Sequence, residues 1–143
     1  MAETPKRIHL TGSGRFEEGT AGGSITPGHL IQLNSSGNLV VHATAGGPAE
    51  KAFALEDALQ GKGIGDAYSS GNRVSYVLAT PGDVVYAFLA AGQNAAIGSY
   101  LSSNGNGALK VASGTDTRLA VALEALDLTA SGATTSRIRV RVL

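Results

Sequence analysis

The 143-residue chain contains no cysteine and no tryptophan, and its aromatic residues amount to only 5%. Without cysteine there can be no disulfide framework and no thiolate metal site. A core with so few aromatics must rest on Val, Leu, Ile and Ala. Net charge is also missing: 11 basic residues balance 11 acidic ones. Binding to nucleic acid as a main activity calls for a net basic face, so no nucleic-acid partner is expected. No apolar run approaches the ~20 residues that span a bilayer, and no membrane partner is expected. Met1–Lys6 is polar and lacks an apolar h-region, so no secretory signal is predicted.

Glycine, by contrast, is abundant. Twenty glycines, about twice the usual ~7% usage, punctuate short apolar runs without any collagen-like period. That is the style of an all-β sandwich or barrel with many turns. Residues 1–24 read as an extended, flexible N-terminal arm. In it, Gly-rich pieces flank Arg15-Phe16-Glu17-Glu18, and only Ile8-His9-Leu10 could make a short strand. From Ile25 onward the pattern is regular. Pro27-Gly28 and Asn34-Ser35-Ser36-Gly37 are turns, with strands predicted at Leu30–Leu33, from Asn38 to Ala43, and within Gly82–Ala90.

Pro48 to Gln60 is ambiguous, because Pro48, Glu50 and Gly61 are helix start and stop signals. An internal repeat decides for a strand. Gly28, Asn34, Gly37, Leu39 and Val41 align with Gly98, Asn104, Gly107, Leu109 and Val111. Ala52-Phe53-Ala54-Leu55-Glu56 aligns with Ala120-Val121-Ala122-Leu123-Glu124, and Arg73–Leu78 with Arg137–Val142. The second copy has no helix signals, which predicts a strand at Ala52–Glu56 and at most a short helical turn over Asp57–Gln60. The expected fold is therefore a small sandwich or barrel of short antiparallel strands from two diverged repeats. Its β domain covers residues 25–143, in halves of about 25–94 and 95–143.

Catalytic constellations are missing. His9, His29 and His42 have no metal-ligand spacing, and there is no Gly-x-Ser-x-Gly elbow. Gly61-Lys62-Gly63-Ile64-Gly65 departs from both common phosphate-loop patterns and reads as a mobile loop. Glu56 and Glu124 are explained as repeat equivalents, not as an acid/base pair. No enzyme activity, metal or cofactor is expected. Arg137, Arg139 and Arg141 should project from one face of the last strand, opposite Ile138, Val140 and Val142. They read as a solvated face that discourages edge pairing, or as a surface for an acidic partner. Among the tyrosines, Tyr76, Tyr86 and Tyr100 look at least half buried. Tyr68 is left as the candidate for stacking on a sugar, should the chain be a carbohydrate-type ligand-binding module.

With these blocks in view, the chain resembles the head decoration (capsid cement) proteins of tailed bacteriophages, including the lambda type. The shared pattern is a polar N-terminal arm and a Pro-Gly turn, then the segment Ile31-Gln32-Leu33-Asn34-Ser35-Ser36-Gly37-Asn38-Leu39-Val40. It continues in the Ala-rich Lys51–Leu55 and in Gly71–Tyr86 with its Thr80-Pro81-Gly82-Asp83 turn. The chain is longer than the lambda type, has an apparent second copy and lacks Trp. The resemblance implies a non-catalytic homotrimer on the virion, assembled in the host cytoplasm. It would bind the outside of an expanded shell and cross-link major capsid proteins. The partner-contacting residues it suggests are Ile8, Leu10, Arg15 and Phe16 in the arm and Arg137, Arg139 and Arg141 in the last strand.

Overall fold

A computed structural model describes residues 4–130 and 132–143. Its strands are β1 (His9–Thr11), β2 (Arg15–Thr20), β3 (Leu30–Leu33), β4 (Leu39–Val41), β5 (Ala52–Ala54), β6 (Arg73–Leu78) and β7 (Val84–Leu89). They continue as β8 (Asn94–Ala95), β9 (Tyr100–Ser103), β10 (Leu109–Val111), β11 (Ala120–Ala122), β12 (Leu126–Asp127) and β13 (Ser136–Val142). A single 3-10 turn, Ala58–Gln60, is the only helical element among the described residues. The fold is all-β, as expected.

The strands make two rings. In the first unit the order is β2-β6-β5-β3-β4, and a parallel bridge between Ala21 and Leu39 brings the ends together. In the second, β7-β10-β9-β11-β13 closes through β13 pairing with β7. An odd number of strands cannot alternate all the way round. Each ring therefore has one parallel seam, Ala21 with Leu39 and Leu89 with Leu109.

Registers coincide throughout. Glu17 opposes Tyr76 as Val85 opposes Val140; Ile31 opposes Val41 and Ala52 as Leu101 opposes Val111 and Ala120. Even the turn bonds recur, Gly28 N–H to Ala54 O and Gly98 N–H to Ala122 O, each 2.8 Å. The repeat is thus structural and extends to β2 and β7. The Ala-x-Ala motif now has a cause. Ala52 and Ala54, like Ala120 and Ala122, point into the ring and are buried. A ring of only five strands leaves room inside for small side chains.

Residues 1–24 were expected to be an arm, and the structure corrects this. Met1–Glu3 lie outside the described residues, but β2 is a full strand of the first ring, paired with β6 over Arg15–Thr20. The glycines that suggested flexibility serve packing. A β-carbon on Gly19 would come within 2.7 Å of Leu39 Cδ1, inside the ring. β1 crosses to the second unit and lies antiparallel on β7, with Ile8 fully buried in the core.

Over Pro48–Gln60 the strand expectation holds, with β5 at Ala52–Ala54 and the short turn at Ala58–Gln60. The stop signal belonged to that turn: Gly61 adopts φ 72° and donates its amide to Ala58 O.

The two units do not pack symmetrically. Inside the first ring lie Ala21, Ile25, Ile31, Leu39, Ala52, Ala54, Tyr68 and Val74. On its outer face Leu30, Phe53 and Val77 are buried too, and they join the core of the second unit. The outer positions of the second ring that match them are Tyr100, Val121 and Arg141, which are partly or fully exposed. One unit's outer face is thus covered by the other, head to tail.

Candidate interaction surface

The seven residues expected to contact a partner fall into three environments. Ile8 is in the shared core, its amide donating to Glu56 Oε1 at 3.1 Å. Burial there means that Ile8 holds β1 in place instead of presenting a surface. Leu10 is half-buried, whereas Arg15 and Phe16 are exposed, Phe16 to 60%. The Phe16 and His9 rings meet at right angles, with a centroid distance of 5.2 Å. Phe16 also borders a shallow groove with Glu17, Glu18, Leu55, Ser75 and Tyr76.

The crossing of β1 and β2 is pinned by Asp83, a buried carboxylate in the turn before β7. It accepts from the Gly14 amide (3.1 Å), the Thr80 amide (3.3 Å) and the Thr80 hydroxyl (3.0 Å), and lies 3.2 Å from His9 Nε2. Burial pushes the carboxyl up. The bonds from Thr80, His9 and Gly14 outweigh that and hold it below the ordinary carboxylate range.

On β13 the alternation is as expected, with Ile138, Val140 and Val142 buried. The three arginines nonetheless differ. Arg137 braces the two units: Nε and Nη2 donate to Pro27 O at 3.2 and 3.0 Å, and Nη2 also donates to Ile64 O. Its guanidinium lies 4.4 Å from the centroid of the Phe88 ring. Arg139 donates to Glu124 Oε2 at 2.8 Å, so Glu124 anchors β13 while its repeat equivalent Glu56 anchors β1. Arg141 is exposed. Neither a uniformly solvated face nor a continuous basic patch describes them.

Chemistry-bearing groups elsewhere are engaged in structure. His42 bonds Ser103 Oγ at 2.7 Å and Pro48 O at 2.9 Å, but Ser103 is fully buried and out of reach of a substrate. His29 accepts the Thr26 amide at Nδ1, 3.0 Å, and its ring packs on Phe88 at a centroid distance of 4.9 Å. Burial first, and then the Arg137 charge, lower its pKa to about 4. In the Gly61-Lys62-Gly63-Ile64-Gly65 loop, the Gly63 amide already donates to Asp66 Oδ2 at 2.8 Å. Among the described residues no three His, Cys, Asp or Glu side chains cluster to hold a metal, and no helix is long and apolar enough to cross a membrane.

The tyrosine expectation holds for Tyr76 and Tyr86, which are half-buried, but is reversed for Tyr68 and Tyr100. Tyr68 is only 5% exposed; it bridges Ile25 at the mouth of the first ring and donates its hydroxyl to Leu55 O. Tyr100 is the open one, 44% exposed, with Arg118 stacked 4.4 Å from its ring centroid. Burial of Tyr68 removes the candidate on which a carbohydrate-type module depended. Sequence inspection also missed Ile97 and Leu33, exposed to 73% and 54%. Periodicity gives no sign that an apolar residue beside a turn has been left in solvent.

No known protein family matches the sequence, and no curated protein does. The fold does have solved counterparts. One is the N base of the head fiber protein gp8.5 of bacteriophage phi29, with a TM-score of 0.60 at 9% identity, covering 92% of this chain and 95% of that one. At so low an identity, the two share a fold.

Proposed function

We propose that this chain is a structural capsid decoration protein. It binds the outer surface of a mature viral shell as a homotrimer and bridges neighbouring major capsid proteins. The observation that carries this reading is the fold likeness to a phage head fiber base over nearly the whole of both chains. The sequence resemblance to phage cement proteins agrees with it independently. Two small closed rings with apolar interiors suit a part that braces an assembly. Exposed Arg15, Phe16 and Arg141 are the residues still free to meet the shell. Ile8 and Arg137 contribute indirectly, by fixing β1 and the packing of the units. Cement of this kind stabilises by mass action, because it binds the expanded lattice and not its dissociated subunits. Many copies on one shell multiply a modest single-site affinity.

The test is sedimentation of purified protein with expanded and unexpanded shells of the virus whose genome encodes it. Binding to expanded shells alone, with a rise in their melting temperature, is the expected result. If the protein stays in the supernatant with expanded shells, the reading fails.

A further inference from the structure

The internal interface between the units contains a wedge. In the second unit, Gly107 inserts between β3 and the residue after β4: its carbonyl accepts the Leu30 amide at 2.8 Å and its amide donates to His42 O at 3.1 Å. Around it, Gly28 O accepts the Phe88 amide at 3.3 Å, Phe88 packs on His29, His42 bonds Ser103, and Arg137 reaches Pro27 O. The first unit supplies the socket and the second the plug.

Because the registers coincide, each half of this interface has a counterpart elsewhere on the molecule. The counterpart of the socket lies on the second unit: Ile97 for Pro27, Gly98 for Gly28, Ser99 for His29, Tyr100 for Leu30 and Ala112 for His42. There the Ala112 amide donates to Tyr100 O at 2.8 Å, as His42 does to Leu30. Among the described residues no glycine bridges the Tyr100 amide and the Ala112 carbonyl as Gly107 bridges Leu30 and His42. A β-carbon on Gly98 would touch nothing, whereas one on Gly28 would meet Tyr86, Arg137 and Phe88. The counterpart of the plug lies on the first unit: Leu33 for Ser103, Gly37 for Gly107, Thr20 for Phe88 and Arg73 for Arg137. Its surface is open, with Leu33 exposed and no atom within reach of a β-carbon at Gly37. The Gly37 amide turns back to Asn34 O at 3.0 Å, which leaves its carbonyl as the group that can enter a socket.

The facing pairs change character together. The polar pair Ser103 and His42 corresponds to Leu33 and Ala112, both apolar. The ring pair Phe88 and His29 corresponds to Thr20 and Ser99, both hydroxyls. Arg73, whose Nε donates to Glu18 Oε1 at 3.2 Å in an exposed pair, would give up that partner for a backbone carbonyl, here that of Ile97, as Arg137 bonds that of Pro27. The partner that fits is a second copy of this chain.

We propose that copies associate head to tail through these surfaces, with Leu33, Thr20 and Arg73 of one copy on Ala112, Ser99 and Ile97 of the next. The Gly37 turn enters at the Tyr100 amide. Such an interface is heterologous: it closes into a ring where the rotation allows and otherwise extends into a filament. The inference deepens the oligomeric part of the proposed function and needs no shell.

Since the chain has no cysteine, chemical cross-linking can test it without background. Arg73→Cys and Ile97→Cys chains, each checked for native circular dichroism, are mixed at high concentration and treated with a short bismaleimide. The mixture should give a cross-linked pair at several-fold the yield of either variant alone. Adding Tyr100→Glu to the Ile97→Cys chain should abolish that excess. A yield no greater in the mixture than in the single-variant controls, or one indifferent to Tyr100→Glu, overturns the proposal. Shell sedimentation of the wild type is scored separately. Shell binding without cross-linking sinks the interface alone, and cross-linking without shell binding sinks the capsid reading alone.

Discussion

Phe53 and Val121 occupy the same position in the two rings, the outward middle of β5 and β11, and should respond very differently to truncation. Phe53 is 1% exposed and packs with Leu30 and Val77 in the core shared with the second unit. A buried Phe covers roughly 200 Å². At about 25 cal/mol per Å² that is ~5 kcal/mol of transfer free energy, and Phe→Ala in cores typically costs about 3–5 kcal/mol. Val121 is only partly buried. Removing its two methyl groups would cost ~1.6 kcal/mol if it were fully buried, so less than about 1 kcal/mol is expected. Against a typical total stability of ~5–15 kcal/mol, only the first loss is severe. Urea unfolding of Phe53→Ala and Val121→Ala, monitored by circular dichroism at a concentration where the chain is monomeric, measures both. Equal losses, or a loss below about 1 kcal/mol for Phe53→Ala, would refute the head-to-tail packing of the rings.

Two further outcomes follow from the arginines and from His29. Arg137→Ala should destabilise the fold by ~1.5–3 kcal/mol, the usual scale for hydrogen bonds made by a charged group. Arg141→Ala, at an exposed site, should stay within about 0.5 kcal/mol; thermal unfolding of the pair separates a brace from a surface charge. His29 should stay neutral in the folded protein down to about pH 4, which NMR titration of its ring protons can follow. Between the unfolded-chain value of about 6.5 and that folded value, the unfolded state binds the extra proton. The His29 contribution to stability is thus present above the upper limit and is lost as pH falls through the window. His29→Gln should flatten that part of the stability profile, and an unchanged slope would show that His29 is not its source.

Much of the fold was legible in the sequence for local reasons. Turn chemistry at Asn34–Gly37 and the alternation in Arg137–Val142 are properties of a few adjacent residues, and both hold in the structure. The repeat carried more than either. It turned Pro48–Gln60 from a helix candidate into β5, because Ala120–Ala122 showed the same motif without the misleading signals. The N-terminal segment was not legible. Gly19 signals freedom in isolation, and only the approach of Leu39, twenty residues away, reveals why glycine is required there. Of the expected contact residues, Arg15, Phe16 and Arg141 kept the exposure that the sequence suggested. Ile8 and Arg137 were drawn inward by partners distant in the chain, Glu56 and Pro27.

On its own, then, the sequence determined an all-β chain in two copies, cysteine-free, with its strands and turns largely in place. Each of these depends on local propensity and periodicity. Only the tertiary structure decided that the copies close into separate rings and stack head to tail. That outcome rests on which outer face is apolar enough to be covered: Leu30, Phe53 and Val77 on the first unit, against Tyr100, Val121 and Arg141 on the second. Burial is set by what packs across the gap, and no stretch of contiguous residues records it.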